Sequence, residues 1–207
     1  IAIFLVASYD PLALGSGQKD SNVPSITPSG RLWLLAALAG SLAGDVFLLF
    51  PGYFVPGLVA FLLAHVAYLV LLRQGVGWFP SRGALAATMG VGAAMYAFLW
   101  TGGLPAGLRA PVAAYVAVIA LMAAQAIGRA TVQRNAASRA VAVGACCFML
   151  SDTLLATNKF VMPLPLAPFW VLSSYYAAQV LIVGGWLRGQ AVARAEVQPS
   201  TESLRFQ

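Results

Sequence analysis

Residues 32–50 read LWLLAALAGSLAGDVFLLF, a run of 19 residues in which Asp45 is the only charged side chain. About 20 apolar residues, each rising about 1.5 Å along a helix, cross the hydrocarbon core of a bilayer. A carboxylate at the centre of such a helix costs roughly 2.5–3.5 kcal/mol on membrane-insertion scales. The stretch therefore predicts a membrane-spanning helix that keeps Asp45 away from lipid.

The composition of the whole chain points the same way. Its 207 residues include 12 basic and 6 acidic side chains, so that 9% are charged and 60% are hydrophobic. A soluble domain carries about a quarter of its residues as Asp, Glu, Lys or Arg. This composition excludes soluble globular, disordered, collagen-like and disulfide-scaffold proteins, and it predicts an integral membrane protein.

Six stretches are long enough to span a bilayer, and breaks rich in Pro, Gly and Arg separate them. Lipid offers no partner to backbone polar groups, so these stretches should be helices. Residues 1–9 are too short to span alone and predict the end of a further helix. The predicted fold is all-α, a polytopic transmembrane helix bundle with six full spans and a partial N-terminal helix. The six predicted spans are 32–50, 53–72, 83–100, 111–127, 140–157 and 164–187.

Most basic residues fall on one side of the membrane when successive spans alternate in direction. Because Lys and Arg concentrate in cytoplasmic loops, we expect a cytoplasmic C-terminus, in a bacterial cytoplasmic (inner) membrane. No basic stripe with interleaved aromatic residues is present, so a nucleic-acid partner is not predicted. The second side holds only Arg109 and Lys159. The first side holds Lys19, Arg31, Arg73, Arg82, Arg129, Arg134, Arg139, Arg188, Arg194 and Arg205. Four tryptophans near span ends are predicted to be interfacial: Trp33, Trp78, Trp100 and Trp186.

Asp45 and Asp152 are the two acidic residues that lie inside predicted spans. Each comes five residues before the predicted end of its span, so we expect the two at a similar depth in one shared polar cavity. Acids inside a membrane face the bundle interior and are functional by default. A structural alternative is that each carboxylate caps a helix break or bonds a neighbouring serine, Ser41 or Ser151.

Other polar side chains inside the spans are candidates to line this cavity. His65 and Tyr68 lie one turn apart on one helix, and Tyr175 and Gln179 lie one turn apart on the last helix. The further candidates are Tyr176, Gln125, Asn158 and Lys159. His65 suits a packing role equally well, and the tyrosines and Lys159 also suit core or interfacial positions. One histidine and two adjacent cysteines do not make a metal site, so neither a metal nor another cofactor is predicted.

Four stretches resemble the YhhN family of lysoplasmalogenases, and the resemblance covers about residues 31–187. The stretches are LAGDVFLL at 42–49, FLLAHVAY at 61–68, FMLSDTLLATNKF at 148–160 and YYAAQVLI at 175–182. The resemblance implies eight spans. It also implies hydrolysis of the vinyl-ether bond of lysoplasmalogens to a fatty aldehyde and glycerophosphoethanolamine or glycerophosphocholine, with a lysophospholipid as substrate and no cofactor.

This implied reaction suits the candidate residues. A vinyl ether is cleaved by protonation of its β-carbon, which needs an acid but no nucleophilic serine or metal. Either Asp45 or Asp152 would be the general acid, and the other would stabilise the cation or activate water. The polar side chains would orient water or substrate hydroxyls, and Lys159 would hold the phosphate. These expected substrate-binding residues are His65, Tyr68, Asn158, Lys159, Tyr175, Tyr176 and Gln179.

Two further predictions complete the sequence-based picture. Paired intramembrane Asp and His residues also build proton relays, so a proton-coupled transporter of small molecules or lipids is the competing prediction. In domain terms, residues 1–30 should form the partial N-terminal helix and a polar loop. Residues 31–187 should form the transmembrane helical catalytic domain, and residues 188–207 a polar C-terminal tail.

Overall fold

A computed structural model of the chain describes residues 28–197. The predicted partial helix at residues 1–9 lies outside these residues, so it stays a prediction. The described part is helical and contains no strand. All six α-helices are long and apolar enough to cross a membrane, which confirms the predicted all-α bundle. They are α1 (Pro28–Leu48), α2 (Phe54–Leu72), α3 (Arg82–Thr101), α4 (Arg109–Gln133), α5 (Ala136–Phe160) and α6 (Ala167–Val197).

The connection between α4 and α5 is much shorter than the predicted loop at 128–139. Helix α4 ends only where Arg134 adopts the left-handed conformation, with φ of 50°. The side chain of Asn135 then accepts a hydrogen bond of 2.8 Å from the Ser138 backbone N–H and caps the start of α5. Residues that favour helices extend both helices into the predicted loop.

Helix α6 also extends further than expected. It continues to Val197, ten residues beyond the predicted end of the last span at residue 187. These ten residues, RGQAVARAEV, are mostly good helix formers, so the start of the predicted polar tail continues the helix.

The helices pack in neighbouring pairs, α1 on α2, α3 on α4 and α5 on α6, and α4 contacts both α2 and α5. Small residues allow close approach at two of these contacts. A Cβ atom on Gly44 would lie 2.5 Å from the Phe61 ring, so glycine lets this ring lie against α1. A Cβ atom on Gly144 would lie 3.0 Å from the Ala178 carbonyl oxygen, so α6 lies directly against α5.

Two side chains of α4 hold the connection between α2 and α3. The Gln125 side chain accepts a 2.7 Å hydrogen bond from the Phe79 backbone N–H and donates one of 2.7 Å to the Gly77 carbonyl. The Arg129 guanidinium donates to the Gln74 carbonyl at 2.6 Å. We call Gln125, Arg129 and the backbone of residues 72–79 the Gln125–Arg129 clamp.

The clamp corrects three of the sequence-based expectations. Gln125 was expected in the cavity with the aspartates, but its amide is bonded to the α2–α3 connection. Arg129 was expected in a loop, but it is a buried residue of α4. Trp186 was expected at the interface, but it is 3% exposed, with the Arg129 guanidinium carbon 4.9 Å from its ring centroid. In each case the side chain contacts another part of the bundle, whereas its position in the sequence predicts a place at the surface or in the site.

Candidate active site

An apolar cavity of about 70 Å³ lies between α2, α3, α4 and α5. Its wall is almost entirely hydrocarbon, and its side-chain polar groups belong to Asp152, Tyr115 and Thr153. The apolar wall includes Phe54, Met95, Leu99, Val112, Met149 and Phe160. Val91 of α3 also lines the cavity and is 59% exposed, so the cavity reaches the outer surface of the bundle there. This shape is suited to an apolar chain that enters from lipid.

The carboxyl group of Asp152 lies in this cavity and has two polar neighbours. The Tyr115 hydroxyl donates a hydrogen bond of 2.5 Å to Oδ2 of Asp152. The His65 Nε2 atom lies 3.9 Å from the same oxygen, which is beyond direct hydrogen-bond distance. The Asp152 side chain is 18% exposed, whereas His65 is fully buried. Asp152, Tyr115 and His65, which we call the Asp152 group, therefore place one carboxyl group against an apolar space.

His65 is fixed by aromatic packing. Its ring centroid is 4.5 Å from that of Phe148 and 5.4 Å from that of Tyr115, and both contacts are edge-on. These contacts orient the imidazole and leave its Nε2 atom directed toward Asp152. The sequence leaves a packing role and a site role equally open for this residue; the structure shows the packing contacts, and the site role stays a prediction.

Asp45 belongs to a separate row of hydrogen-bonded side chains. Its Oδ2 atom accepts a hydrogen bond of 2.8 Å from the Tyr175 hydroxyl. Gln179 donates to that hydroxyl at 3.3 Å and accepts a bond of 2.6 Å from the Tyr68 hydroxyl. This Asp45 chain, consisting of Asp45, Tyr175, Gln179 and Tyr68, connects α1, α6 and α2. Its members other than Asp45 are buried.

The two aspartates belong to two separate hydrogen-bonded groups, and the shared cavity stays a prediction. Asp45 is not among the described residues around the Asp152 cavity. Tyr175 of the Asp45 chain packs edge-on against Phe148 and Phe61, with ring centroids 5.4 Å and 6.0 Å apart. Phe148 in turn contacts His65 of the Asp152 group, so aromatic rings lie between the two hydrogen-bonded groups. Both acids lie inside helices, as predicted, and each carboxylate is bonded to its own tyrosine.

The two aspartates lie at different distances from the ends of their helices. Helix α1 ends at Leu48, the third residue after Asp45, and α5 ends at Phe160, the eighth residue after Asp152. The serine alternative fails. The Ser151 hydroxyl donates to the Val171 carbonyl, and the buried Ser41 hydroxyl has no hydrogen-bond partner among the described residues. Both carboxylates are instead bonded to tyrosines of other helices.

The remaining predicted site residues lie at different distances from the cavity. Lys159 is exposed, and its Nζ atom lies 4.5 Å from the ring centroid of the cavity-lining Phe54. The Asn158 side chain accepts a bond of 2.9 Å from the Leu164 backbone N–H and so supports the α5–α6 connection. Tyr176 is 60% exposed on the surface of the bundle. Lys159 is thus the member of this set that lies beside the cavity.

Tyr115 is the functional candidate that the sequence reasoning missed. It lies in a span whose other residues are almost all apolar, and a lone tyrosine there is an ordinary core residue. Its importance comes from the packing of α4 against α5, which brings its hydroxyl to Asp152. The available signal was its depth inside an apolar span, where a hydroxyl needs a partner.

Among residues 28–197, no group of three or more His, Cys, Asp or Glu side chains could hold a metal ion. The fold and the Asp152 cavity define a polytopic α-helical membrane protein with a carboxyl group in an apolar cavity. The chain belongs to the YhhN family, whose sequence pattern matches residues 12–186.

The curated relatives agree with this assignment. Human lysoplasmalogenase TMEM86B is 32% identical over 177 residues, which cover 80% of this chain and 73% of the relative. A lysoplasmalogenase of Mycobacterium tuberculosis is 32% identical over 180 residues, covering 82% of this chain and 66% of the relative. Mouse lysoplasmalogenase TMEM86B is 36% identical over 167 residues, covering 79% and 68%. The chain thus spans about two thirds of the length of such relatives. No solved structure matches it.

Proposed function

We propose that this protein hydrolyses the vinyl-ether bond of lysoplasmalogens, releasing a fatty aldehyde and glycerophosphoethanolamine or glycerophosphocholine. The observation that carries the proposal is the carboxyl group of Asp152, which faces an apolar cavity open toward lipid. A single-chain lipid could place its tail in that cavity and its ether bond at the carboxyl group. The names of the curated relatives support the same substrate class.

In the proposed mechanism Asp152 is the general acid. Its carboxyl proton is transferred to the β-carbon of the vinyl ether, and the resulting oxocarbenium ion is stabilised by the carboxylate left behind. Water then adds to the cationic carbon and returns one proton to Asp152. The hemiacetal collapses to the aldehyde and the glycerol hydroxyl. One water is consumed, and the carboxyl group ends in its starting form.

Tyr115 and His65 support this chemistry from either side of the carboxyl group. Because the Tyr115 hydroxyl donates to Oδ2, the other oxygen of Asp152 is left to carry the transferred proton. The His65 Nε2 atom is close enough to hold a water molecule against the same carboxylate. We therefore propose Asp152 as the catalytic acid and Tyr115 and His65 as groups that orient proton and water.

Asp45 takes a different role in this proposal. It anchors Tyr175, whose ring packs on Phe148 behind His65. Tyr68 and Gln179 continue the same row, so these residues would position the site without contacting substrate. We leave Tyr176 and Asn158 out of the proposed site, since one is exposed and the other bonds the α5–α6 connection.

The arginines of the described residues indicate an orientation in the membrane. Near the Gln125–Arg129 clamp lie the ends of α2 and α4 and the starts of α3 and α5, and near Lys159 lie the opposite ends. Because Arg and Lys concentrate on the cytoplasmic side, we propose that the clamp end and the C-terminus face the cytoplasm of a bacterial inner membrane. The clamp end carries Arg31, Arg73, Arg82, Arg129, Arg134, Arg139 and Arg188.

The competing function is a proton-coupled carrier. The Asp45 chain favours it, because three successive hydrogen bonds between polar side chains resemble part of a proton relay. Within the described residues, however, no hydrogen bond connects the Asp45 chain to Asp152. A relay that stops at aromatic rings does not cross the bundle, so hydrolysis is the better supported function.

The test is aldehyde release from a lysoplasmalogen by purified protein in lipid nanodiscs. For Asp152→Asn we expect turnover to fall by about 10²–10⁴-fold, the usual contribution of a general acid. Asp45→Asn is the matched control, since it makes the same chemical change in the other group and should retain activity within about 10-fold of wild type.

Undiminished aldehyde release by Asp152→Asn would contradict the proposed acid. Substrate-dependent proton flux into vesicles without aldehyde release by the wild-type protein would favour the carrier. Thermal unfolding of both variants should match that of wild type, because the amide oxygen still accepts the tyrosine hydrogen bond in each group.

A further inference from the structure

Arg109 is a half-buried cation that the proposed reaction does not use. It is the first residue of α4, and its guanidinium carbon lies 4.0 Å from the ring centroid of Trp100. The Tyr96 hydroxyl donates a 3.1 Å hydrogen bond to the Arg109 carbonyl and fixes the backbone there. The Nε atom of Arg109 is buried and has no hydrogen-bond partner among the described residues. The side chain is thus held in place while one of its donors is unused.

Lys159 is held in a similar way at the end of α5. Its Nζ atom lies 4.5 Å from the ring centroid of Phe54 and 6.0 Å from that of Phe160. These two rings pack edge-on, 5.4 Å apart, and both line the Asp152 cavity. Cation–π contacts of this kind hold a charged group near an aromatic face without neutralising its charge.

The two cations lie at the same end of the cavity. Leu99, Leu104 and Val112 form a buried cluster where α3 ends and α4 begins, and Phe160 and Val161 of α5 pack against it. Leu99, Val112 and Phe160 also line the cavity. Arg109 is one turn from Val112, and Lys159 adjoins Phe160. In the described part of the chain neither cation forms an ion pair with a carboxylate.

The spacing from Asp152 agrees with the dimensions of a lysophospholipid. Lys159 is the seventh residue after Asp152, and seven residues rise about 10 Å along a helix. In an extended lysoplasmalogen, seven bonds separate the β-carbon of the vinyl ether from the phosphorus, and their extended length is about 9 Å. A substrate with its β-carbon at Asp152 would therefore place its phosphate near this end of the cavity.

We propose that Arg109 and Lys159 form a phosphate subsite that binds the phosphodiester of the substrate headgroup. Arginine offers paired donors to phosphate oxygens, and lysine adds a mobile point charge. The subsite rests on the proposed hydrolase function and deepens it. It gives the unused donor of Arg109 a ligand, and it fixes the direction in which the lipid lies, with the headgroup at Lys159 and the tail toward Val91.

The experiment compares two substrates that differ only in the phosphate. Purified Arg109→Gln is assayed with a lysoplasmalogen and with the corresponding 1-alkenylglycerol, which lacks the phosphoryl headgroup. We expect KM for the lysoplasmalogen to rise about 10-fold or more, as for loss of a charge-assisted hydrogen bond, while KM for the alkenylglycerol changes less than about 2-fold. Arg109→Lys should recover part of the loss.

Arg82→Gln is the matched control, because Arg82 is also the first residue of a helix but lies at the clamp end. Its KM should be that of wild type for both substrates. An equal rise with both substrates for Arg109→Gln would overturn the proposal, because Arg109 would then support the fold or contact bulk lipid phosphate. An unchanged KM for both would also overturn it.

A binding measurement separates this proposal from the proposed reaction. The saturated-ether lysophospholipid cannot be cleaved by the proposed route, and its affinity can be compared with that of the alkylglycerol without phosphate. We expect Arg109→Gln to weaken binding of the first by about 10-fold and to leave the second unchanged. This result would stand even if wild-type protein released no aldehyde, whereas equal effects on both ligands would reject the subsite.

Discussion

The Gln125–Arg129 clamp and the Asp152 group are both clusters of polar side chains buried in an apolar bundle, and they differ in how their hydrogen bonds are used. In the clamp, the polar side chains bond the backbone of the α2–α3 connection. In the Asp152 group, the His65 Nε2 atom has no hydrogen-bond partner and the carboxyl group faces a cavity.

This difference separates a structural cluster from a candidate catalytic one. Buried polar groups in native proteins are nearly always paired, and an unpaired one needs an explanation such as catalysis. The clamp satisfies carbonyls that would otherwise be orphaned where α2 ends, so it stabilises the fold. The Asp152 group instead leaves the His65 nitrogens without hydrogen-bond partners and the carboxyl group partly exposed in a cavity. We therefore expect substitutions in the clamp to affect stability and those in the Asp152 group to affect turnover.

The largest change in stability is expected at the clamp. Arg129→Met keeps a side chain of similar length but removes the donors to the Leu72 and Gln74 carbonyls. A hydrogen bond to a charged donor contributes about 1.5–3 kcal/mol, and the Leu72 carbonyl would keep only a 3.5 Å bond from Gln125, so we expect the free energy of unfolding to fall by about 2–4 kcal/mol. Titration with denaturing detergent, followed by tryptophan fluorescence, measures the change.

The control for this substitution is Arg139→Met, which removes an exposed arginine from the start of α5 at the same end of the bundle. Its unfolding free energy should stay within about 0.5 kcal/mol of wild type. Aldehyde release per folded molecule should be nearly unchanged in Arg129→Met. A large loss of turnover with intact stability would assign the clamp to the active site and remove the distinction between the two clusters.

A moderate decrease in kcat is expected for a substitution of Tyr115, the residue that bonds Asp152. Tyr115→Phe removes the 2.5 Å hydrogen bond to Asp152 but keeps the ring that packs on His65. The carboxyl group would lose its fixed orientation, so kcat should fall by about 10-fold, with a stability cost of only about 1 kcal/mol. Steady-state aldehyde release gives kcat and KM separately.

Tyr175→Phe makes the same change in the Asp45 chain and provides the comparison. Its hydroxyl bonds Asp45 and not Asp152, so kcat should fall by less than about 3-fold. If Tyr175→Phe lowered kcat as much as Tyr115→Phe, the two aspartates would act as one catalytic pair. That result would support the shared site predicted from the sequence.

The helices could be predicted from the sequence because burial in lipid leaves the backbone no alternative. Hydropathy and length located all six described spans, and the insertion cost of a carboxylate drew attention to Asp45 and Asp152. The resemblance of stretches such as 148–160 to a known family also located residues in the region of the site. These features depend on the local sequence or on each helix by itself.

The partners of these side chains could not be predicted, because they depend on how the helices pack. Tyr115 meets Asp152 only because α4 lies against α5, and Gln125, on the same helix, meets the backbone after α2. No spacing in the sequence distinguishes these two polar residues of one span. Arg129 likewise is a charged residue beyond the predicted end of its span, which predicts a loop position. Its burial follows from the extension of α4 beyond that end.

The smallest effect is expected at Tyr176, where the sequence and the structure make different predictions. The family resemblance makes Tyr176 a substrate-binding residue, whereas the structure leaves it 60% exposed on the surface of the bundle. Tyr176→Leu should therefore change kcat and KM by less than about 2-fold. The free energy of unfolding should change by less than about 0.5 kcal/mol, because an apolar side chain suits a lipid-facing position. Tyr175→Leu, its buried neighbour, should lower stability by removing the bond to Asp45 and the contact with Phe148. A loss of more than about 10-fold in kcat/KM for Tyr176→Leu, with normal stability, would show that substrate reaches the outer face of α6 and that the cavity at Asp152 is not the whole site.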